Sequence, residues 1–189
     1  MLAVGLLAAP LLVVEAAARA EADGAKARFV FSFKHGLHGA RIGAPAPAYH
    51  ARLRGALRLP NLGKDVCFGL AYAVSPAART ARRADLELYC GDKQHITEVH
   101  LASSAFCSSG GTCIGTPGSL RRFAAELKAS ASIQHDMECP GGGNGCTTVE
   151  ASFGRVQVSV RSSNCRTFVS LAAIGASCAA ADVLIYRFD

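Results

Sequence analysis

The sequence predicts a mainly antiparallel all-β fold, a sandwich or barrel, with at most one short helix and with disulfides that stabilise it. Apolar and polar residues alternate with period two in a series of short segments, and turns rich in Gly, Pro, Ser and Ala separate these segments. Short strands at such spacing are typical of sandwiches and barrels. The chain of 189 residues has eight cysteines and no tryptophan, so we expect a core of Leu, Val and Phe that disulfides reinforce.

Residues 1–20 are predicted to be an export signal. Residues 2–14 are almost entirely apolar, and Ala-Arg-Ala at 18–20 has the small-x-small pattern at which signal peptidase cleaves. An apolar run of about 13 residues is too short to cross a bilayer of about 30 Å as a helix, and no later segment is long and apolar enough to do so. A buried N-terminal helix and an uncleaved anchor are alternatives, since no basic side chain precedes Leu2. We expect residues 21–189 to form one secreted β-rich domain.

The candidate strands follow one another along the chain, each with one apolar face. In the first strand, Phe29, Phe31 and Phe33 lie on the same side of an extended backbone. A break in the alternation at Gly154 shifts the register of a longer strand, which indicates a β-bulge. In chain order, the candidate strands are residues 27–33, 49–60, 66–74, 84–90, 149–161, 166–174 and 182–188.

One segment favours a helix. Ser119 is placed to cap LRRFAAELKAS, in which Leu120, Phe123 and Leu127 have the spacing of one helix face. The same residues also alternate as a strand would, so both interpretations stay open.

All eight cysteines follow the predicted signal, and an even number in an exported chain predicts four disulfides. The segments CSSGGTC and CPGGGNGC are rich in turn-forming residues, so we expect local closure there. Other pairings remain open on spacing alone. The expected pairs are Cys107–Cys113, Cys139–Cys146, Cys165–Cys178 and Cys67–Cys90.

The motifs of common enzyme classes are absent from the sequence. There is no G-x-S-x-G elbow, no H-E-x-x-H, no P-loop and no G-x-G-x-x-G after a strand. QHDMEC groups His135, Asp136 and Glu138, but acid–base catalysis needs a pair positioned in a cleft, and neighbours on a strand point to opposite faces. We therefore expect a non-enzymatic protein without a cofactor. The alternative is a small secreted hydrolase or metal-dependent enzyme that uses His95, His100 and His135.

Two groups of residues are candidate metal ligands. KHGLHG places His35 and His38 in an expected loop, but two imidazoles alone make a weak site. Zinc takes four tetrahedral ligands, commonly with its cysteines two to four residues apart. The wider gap between the cysteines of the second group, and the oxidising compartment, favour a disulfide over zinc. That second group consists of His95, His100, Cys107 and Cys113.

The arginines are the candidates for binding a ligand. The formal net charge is +6, and a basic exported protein meets anionic surfaces such as wall polysaccharide. Arg52, Arg54 and Arg58 lie on one side of candidate strand 49–60, and guanidinium groups suit carboxylate, sulfate and phosphate oxygens. The expected contacts with an anionic ligand are Arg52, Arg54, Arg58, Arg82 and Arg83.

The same arginines also have a purely structural interpretation. If the strands at 50–58 and 84–90 are neighbours, Asp85 and Glu87 pair with the arginine row. The charges then keep an outer face soluble and protect a sheet edge from association. Nucleic acid is not expected as a partner, because the chain is predicted to be exported and lacks interleaved aromatic residues.

Three short segments between residues 49 and 127 resemble the CHRD domain of chordin and of many secreted proteins. ARLRGALRLP is similar to the opening A-x-L-x-G-A strand of that family, and VCFGLAY and HITEVHLAS are similar to two later pieces. The family's last piece carries His-Ile-His followed by glycine, whereas here His95 and His100 are five apart and no glycine follows. This departure puts a transferred ligand role for the two histidines in doubt. The resemblance implies an extracellular β-rich domain with a binding role.

These observations lead to one functional expectation. We expect a secreted, disulfide-stapled domain with a binding or structural role at the cell surface, wall or matrix, in contact with anionic polysaccharide. A subunit of a larger extracellular assembly is a further alternative, because strands with alternating faces also pair between chains.

Overall fold

The computed structural model describes residues 29–60, 70–90, 95–127, 133–136, 146–162 and 178–187. Strands dominate the part of the chain that it describes. In chain order the elements are β1 (Phe29–Ser32), β2 (Gly36–Leu37), β3 (Ala40–Arg41), α1 (Ala46–Arg52), β4 (Leu57–Arg58), β5 (Leu70–Ala73), α2 (Pro76–Ala81), β6 (Leu86–Cys90), β7 (Ile96–Leu101), β8 (Phe106–Ser108), α3 (Ser119–Glu126), β9 (Ile133–Asp136), β10 (Cys146–Phe153), β11 (Val156–Ser162) and β12 (Asp182–Arg187).

The strands form two sheets. The larger sheet has the order β4-β5-β6-β7-β12-β11-β10-β9, and the smaller has the order β3-β2-β1-β8. Neighbouring strands are antiparallel throughout the larger sheet, and in the smaller sheet only β1 and β8 are parallel. The predicted mainly antiparallel β fold is confirmed.

The period-two pattern places alternate apolar side chains of β6, β7 and β12 on one face of the larger sheet. Leu88, Val99 and Ile185 line up on the neighbouring strands β6, β7 and β12, and all three are fully buried. From the smaller sheet, Phe31 packs against Phe123 of α3 with ring centroids 6.0 Å apart. These residues belong to one cluster, so the two sheets share a hydrophobic core.

The second candidate strand is wrong over most of its length. Residues 46–52 form α1 instead, with Pro45 at its N-cap and a proline in its first turn, where the fixed backbone angle of proline suits a helix. Tyr49 and Leu53 are buried. Because they are four residues apart, they lie on one face of a helix as well as on one face of a strand, so the alternation was ambiguous. Only Leu57–Arg58 is a strand.

The described residues contain three short helices, although at most one was predicted. The predicted helix after residue 119 is confirmed as α3, which buries Leu120 and Phe123. Its N-cap is Gly118 rather than Ser119. The Ser119 hydroxyl is buried and instead accepts a hydrogen bond from the backbone N–H of Ala180 at 2.8 Å. The third helix, α2, begins after Ser75, whose hydroxyl accepts from the N–H of Ala78.

Gly154 makes a turn rather than the predicted bulge. Phe153 of β10 pairs directly with Val156 of β11, so Gly154 and Arg155 form a two-residue hairpin loop. The φ of Gly154 is +63°, which glycine adopts without strain and which such tight loops require. Arg155 therefore lies at the tip of a hairpin.

Several predictions fall outside the described residues. They concern the export signal at 1–20, the candidate strand at 166–174 and three of the cysteines, Cys67, Cys139 and Cys165. Among the helices that the structure describes, none has the length and apolar character to cross a membrane.

Candidate anion-binding site

The disulfide predicted between Cys107 and Cys113 is confirmed. Both residues lie at the β8 turn, where they also form a bridge between short antiparallel segments. Because the two sulfur atoms are bonded to each other, they are not available as thiolates for zinc, in agreement with the preference for a disulfide over the candidate zinc group with His95 and His100. Among the described residues, no three His, Cys, Asp or Glu side chains are grouped so that they could hold a metal ion.

His100, the central histidine of the hydrolase alternative, is held between two carboxylates. Its Nδ1 lies 3.6 Å from Glu87 on β6, and its Nε2 lies 3.7 Å from Asp182 on β12. Burial opposes the charged ring, but Asp182 and Glu87 outweigh burial and raise the pKa of His100 to about 9. The ring is therefore charged at neutral pH, whereas a general base or a metal ligand is neutral. The side chain of His135 lies outside the described residues.

The predicted pairing of Asp85 and Glu87 with the arginine row is wrong. Strand β5 lies between β4 and β6, so the arginine-bearing strand and the acidic strand are not neighbours. The carboxylate of Asp85 instead accepts hydrogen bonds from the backbone N–H groups of Val74 and Ser75, at 2.7 and 2.9 Å. Glu87 faces His100.

Arg52 has a structural role in the smaller sheet. It is partly buried on α1, and its Nε donates to the backbone oxygen of His38 at 2.8 Å. Its guanidinium also lies 5.1 Å from the ring centroid of Phe29, a favourable cation–π geometry. Its capacity to bind a ligand is therefore partly used within the protein, whereas Arg54 is exposed.

Arg58 and the α2 arginines belong to different faces of the larger sheet. Arg58 lies opposite Tyr72, whose hydroxyl hydrogen-bonds with Nδ1 of His50. Burial and the nearby Arg58 both lower the pKa of His50. By contrast, α2 packs on the face that carries Leu59, Ala71 and Ala73. Arg82 and Arg83 are exposed at the end of α2, so the five predicted arginines do not form one row.

A basic cavity of about 270 Å³ lies where the hairpin tips of the two sheets meet. Lys34 comes from the turn after β1 and Arg41 from β3, both in the smaller sheet. Arg155 comes from the β10–β11 turn and Arg187 from the end of β12, both in the larger sheet. The cavity is lined by Lys34, His35, Arg41, Ile42, Arg155, Val156 and Arg187. We call this set the basic cavity.

The lysine and arginine side chains give the basic cavity a positive charge. The lysine and the three arginines in its lining are all exposed, and none of the described residues that line it carries a carboxylate. Nowhere in the described ranges does an acidic side chain pair with any of these four cations. Like charges held together without a counterion repel each other, so the cavity favours an anion from outside.

Gly43 leaves room for the guanidinium group of Arg187. A Cβ atom on Gly43 would lie 2.5 Å from Nη1 of Arg187, so the guanidinium occupies the place that a side chain would need. The backbone is also at φ +87°, which favours glycine. Hydrogen bonds from Gly43 N–H to Ile96 O and from Ile96 N–H to Ala44 O tie this loop to β7. The wall of the cavity is thus anchored in the larger sheet.

Sequence reasoning missed this cavity. Lys34, Arg41, Arg155 and Arg187 are widely separated in the chain, and each is a single basic residue next to a turn or at a strand end. His35 was considered only as a metal ligand. The one available signal was that basic residues recur where strands end, but the packing of one sheet against the other decides which of them meet.

No family model, curated protein or solved structure matches the chain. The resemblance to the CHRD domain therefore rests on the three short segments alone. The first of them, ARLRGALRLP, departs from the expected strand, because it contains the end of α1 and the short β4.

Proposed function

We propose that this protein is an exported, disulfide-stapled β domain that binds anionic polysaccharide at the cell surface, wall or matrix without catalysing a reaction. The observation that supports binding is the basic cavity, whose lining among the described residues includes four cations and no carboxylate. Arginine and lysine side chains in such a setting form charge-assisted hydrogen bonds with anionic oxygens.

A polymer suits the distribution of charge better than a small ion does. Besides the basic cavity, the exposed Arg54, Arg58, Arg82 and Arg83 present positive charge on other parts of the surface. An extended anionic chain can contact several such places at once, and its affinity then exceeds that of any single contact. The formal net charge of +6 adds long-range attraction.

Export and disulfides agree with this role. The confirmed Cys107–Cys113 disulfide is a bond that persists in oxidising compartments, which are where wall and matrix polysaccharides occur. The predicted signal at residues 1–20 supplies the route to that compartment.

Binding to immobilised anionic polysaccharide at increasing salt tests the proposal. We expect the wild-type protein to bind at low salt and to be released as salt screens the contacts. The variant Arg155→Gln should bind roughly tenfold more weakly, because a charge-assisted hydrogen bond is lost. The matched control Arg121→Gln removes the same charge from the exposed side of α3 and should bind within about twofold of wild type.

Two results would contradict the proposal. One is the absence of salt-sensitive binding by the wild-type protein. The other is an equal loss for Arg155→Gln and Arg121→Gln, which would mean that net charge rather than the basic cavity determines binding. Circular dichroism of each variant verifies that the fold is intact.

A further inference from the structure

The cations of the basic cavity come from different elements of the fold. Arg41 is on the two-residue strand β3 of the smaller sheet, Arg155 is at the tip of the β10–β11 hairpin and Arg187 is at the end of β12. Val156 and Arg187 are paired across β11 and β12, so Arg187 is next to the tip of the β10–β11 hairpin. The remaining cation, Lys34, comes from the turn after β1.

This arrangement distinguishes between anions by their shape. A carboxylate presents two oxygens in one plane, which a single guanidinium fork satisfies. The other cations of the cavity would then remain without a partner. A sulfate or phosphate ester presents three terminal oxygens in different directions, so that cations from several elements each reach one of them.

The size of the cavity and its apolar residues indicate what carries the anionic group. A volume of about 270 Å³ is just below the roughly 300–1,000 Å³ of pockets that enclose whole drug-sized ligands. Ile42 and Val156 contribute apolar surface, against which the C–H groups of a sugar ring can pack. The cavity therefore suits one substituent and its adjoining sugar, with the rest of the chain outside.

We infer that the basic cavity is a selective site for a tetrahedral oxyanion, a sulfate or phosphate ester group on a polysaccharide, rather than for a carboxylate. This inference rests on the proposed function and names the chemical group that the site takes. It predicts a preference that cannot arise from charge alone.

Three derivatives of one polymer test this preference. Dextran sulfate, dextran phosphate and carboxymethyl dextran of equal chain length and equal charge per sugar are compared for binding to the full-length protein. We expect binding about tenfold tighter to a tetrahedral derivative than to carboxymethyl dextran, because at least one additional charge-assisted hydrogen bond forms. Whether the sulfate or the phosphate derivative binds more tightly identifies the source of the group.

The outcomes separate this inference from the proposed function. Equal binding of all three derivatives would overturn the selective site and leave anionic polysaccharide binding in place. Binding to none of them would overturn both. Tighter binding to carboxymethyl dextran would contradict the selectivity alone.

A second test changes the position of one cation without changing the charge of the protein. Gly43→Ala places a methyl group against the guanidinium of Arg187 and should remove the preference for the tetrahedral derivatives. Gly111→Ala is the matched control, because Gly111 has the same φ of +87° and no atom within 4 Å of the added Cβ. It carries the same backbone strain and should keep the preference.

Arg187→Lys provides a version of this test that avoids backbone strain. It retains the charge but loses the planar fork, so the preference should fall while weak, salt-sensitive binding persists. If Arg187→Lys and a folded Gly43→Ala both kept the wild-type preference, the assignment of the site would be wrong.

Discussion

Nε2 of His100 lies 3.7 Å from Oδ2 of Asp182, an ionic contact between the neighbouring strands β7 and β12. The other oxygen of this carboxylate accepts a hydrogen bond from Nε of Arg161 on β11 at 2.9 Å. Asp182 is only 3% exposed. One buried carboxylate therefore links three consecutive strands of the larger sheet on the face opposite the core.

Replacing Asp182 should destabilise the fold. Asp182→Asn leaves His100 and Arg161 without their shared anion. We expect the free energy of unfolding to fall by about 2–3 kcal/mol, somewhat less than the roughly 3–5 kcal/mol for breaking a fully buried ion pair, because both cations are partly exposed. Urea unfolding measures this change. Glu98→Gln is the control, because burial raises the pKa of Glu98, and neutralising it should cost almost nothing. An equal loss for both variants would contradict the assigned role.

Stability should depend on pH through His100. Its pKa is raised from 6.5 to about 9 in the folded protein, so the folded state binds a proton more tightly than the unfolded chain does. The resulting stabilisation is complete below about pH 6.5 and is lost as the pH rises through 9. The difference in urea midpoint between wild type and His100→Gln should therefore shrink from pH 6 to pH 9.5. A difference that stayed constant over this range would exclude the effect.

Arg52 and Arg54 should respond differently to the same substitution. Arg52→Gln removes the hydrogen bond to His38 and the contact with Phe29, so we expect it to lower the free energy of unfolding by about 1 kcal/mol. Arg54→Gln removes an exposed charge and should stay within about 0.5 kcal/mol of wild type. Thermal or urea unfolding of the two variants measures this. Equal stability would show that the contacts of Arg52 contribute nothing.

Intact mass of the native protein tests the predicted export and the predicted disulfides. After free thiols are alkylated, we expect the native protein to lack residues 1–20 and to gain eight protons on reduction, since all eight cysteines are predicted to be paired. A full-length chain with free thiols would contradict export and oxidation together.

Prediction from the sequence was most accurate for strands that have one buried and one exposed face. At Leu86 and Leu88 the alternation is strict because the core lies on one side and solvent on the other. It failed at Tyr49 and Leu53, since a spacing of four residues fits one face of a helix as well as a strand. It also failed at Gly154, where a two-residue hairpin loop and a bulge both interrupt the alternation.

The candidate site could not be predicted in the same way. The arginines of the 49–60 segment stood out because they are close in sequence, yet Arg52 is engaged with His38 and Arg58 shares a face with Tyr72. Arg41 and Arg187 meet only because the smaller sheet packs near one end of the larger one. The proximity of these residues depends on tertiary contacts between distant segments, and no local sequence pattern predicts it.

The basic cavity takes its cations from both sheets, and under the proposed function this has a consequence for the lifetime of the protein once it is exported. In the unfolded chain Arg41 and Arg187 are far apart, so an anion that bridges them binds the native state alone. Each tenfold increase in the concentration of such a ligand above its dissociation constant then adds about 1.4 kcal/mol to the free energy of unfolding. Molecules attached to the polymer would open less often to extracellular proteases than molecules that have diffused away. Proteolysis would therefore remove the unbound molecules and leave those that are bound to the polymer.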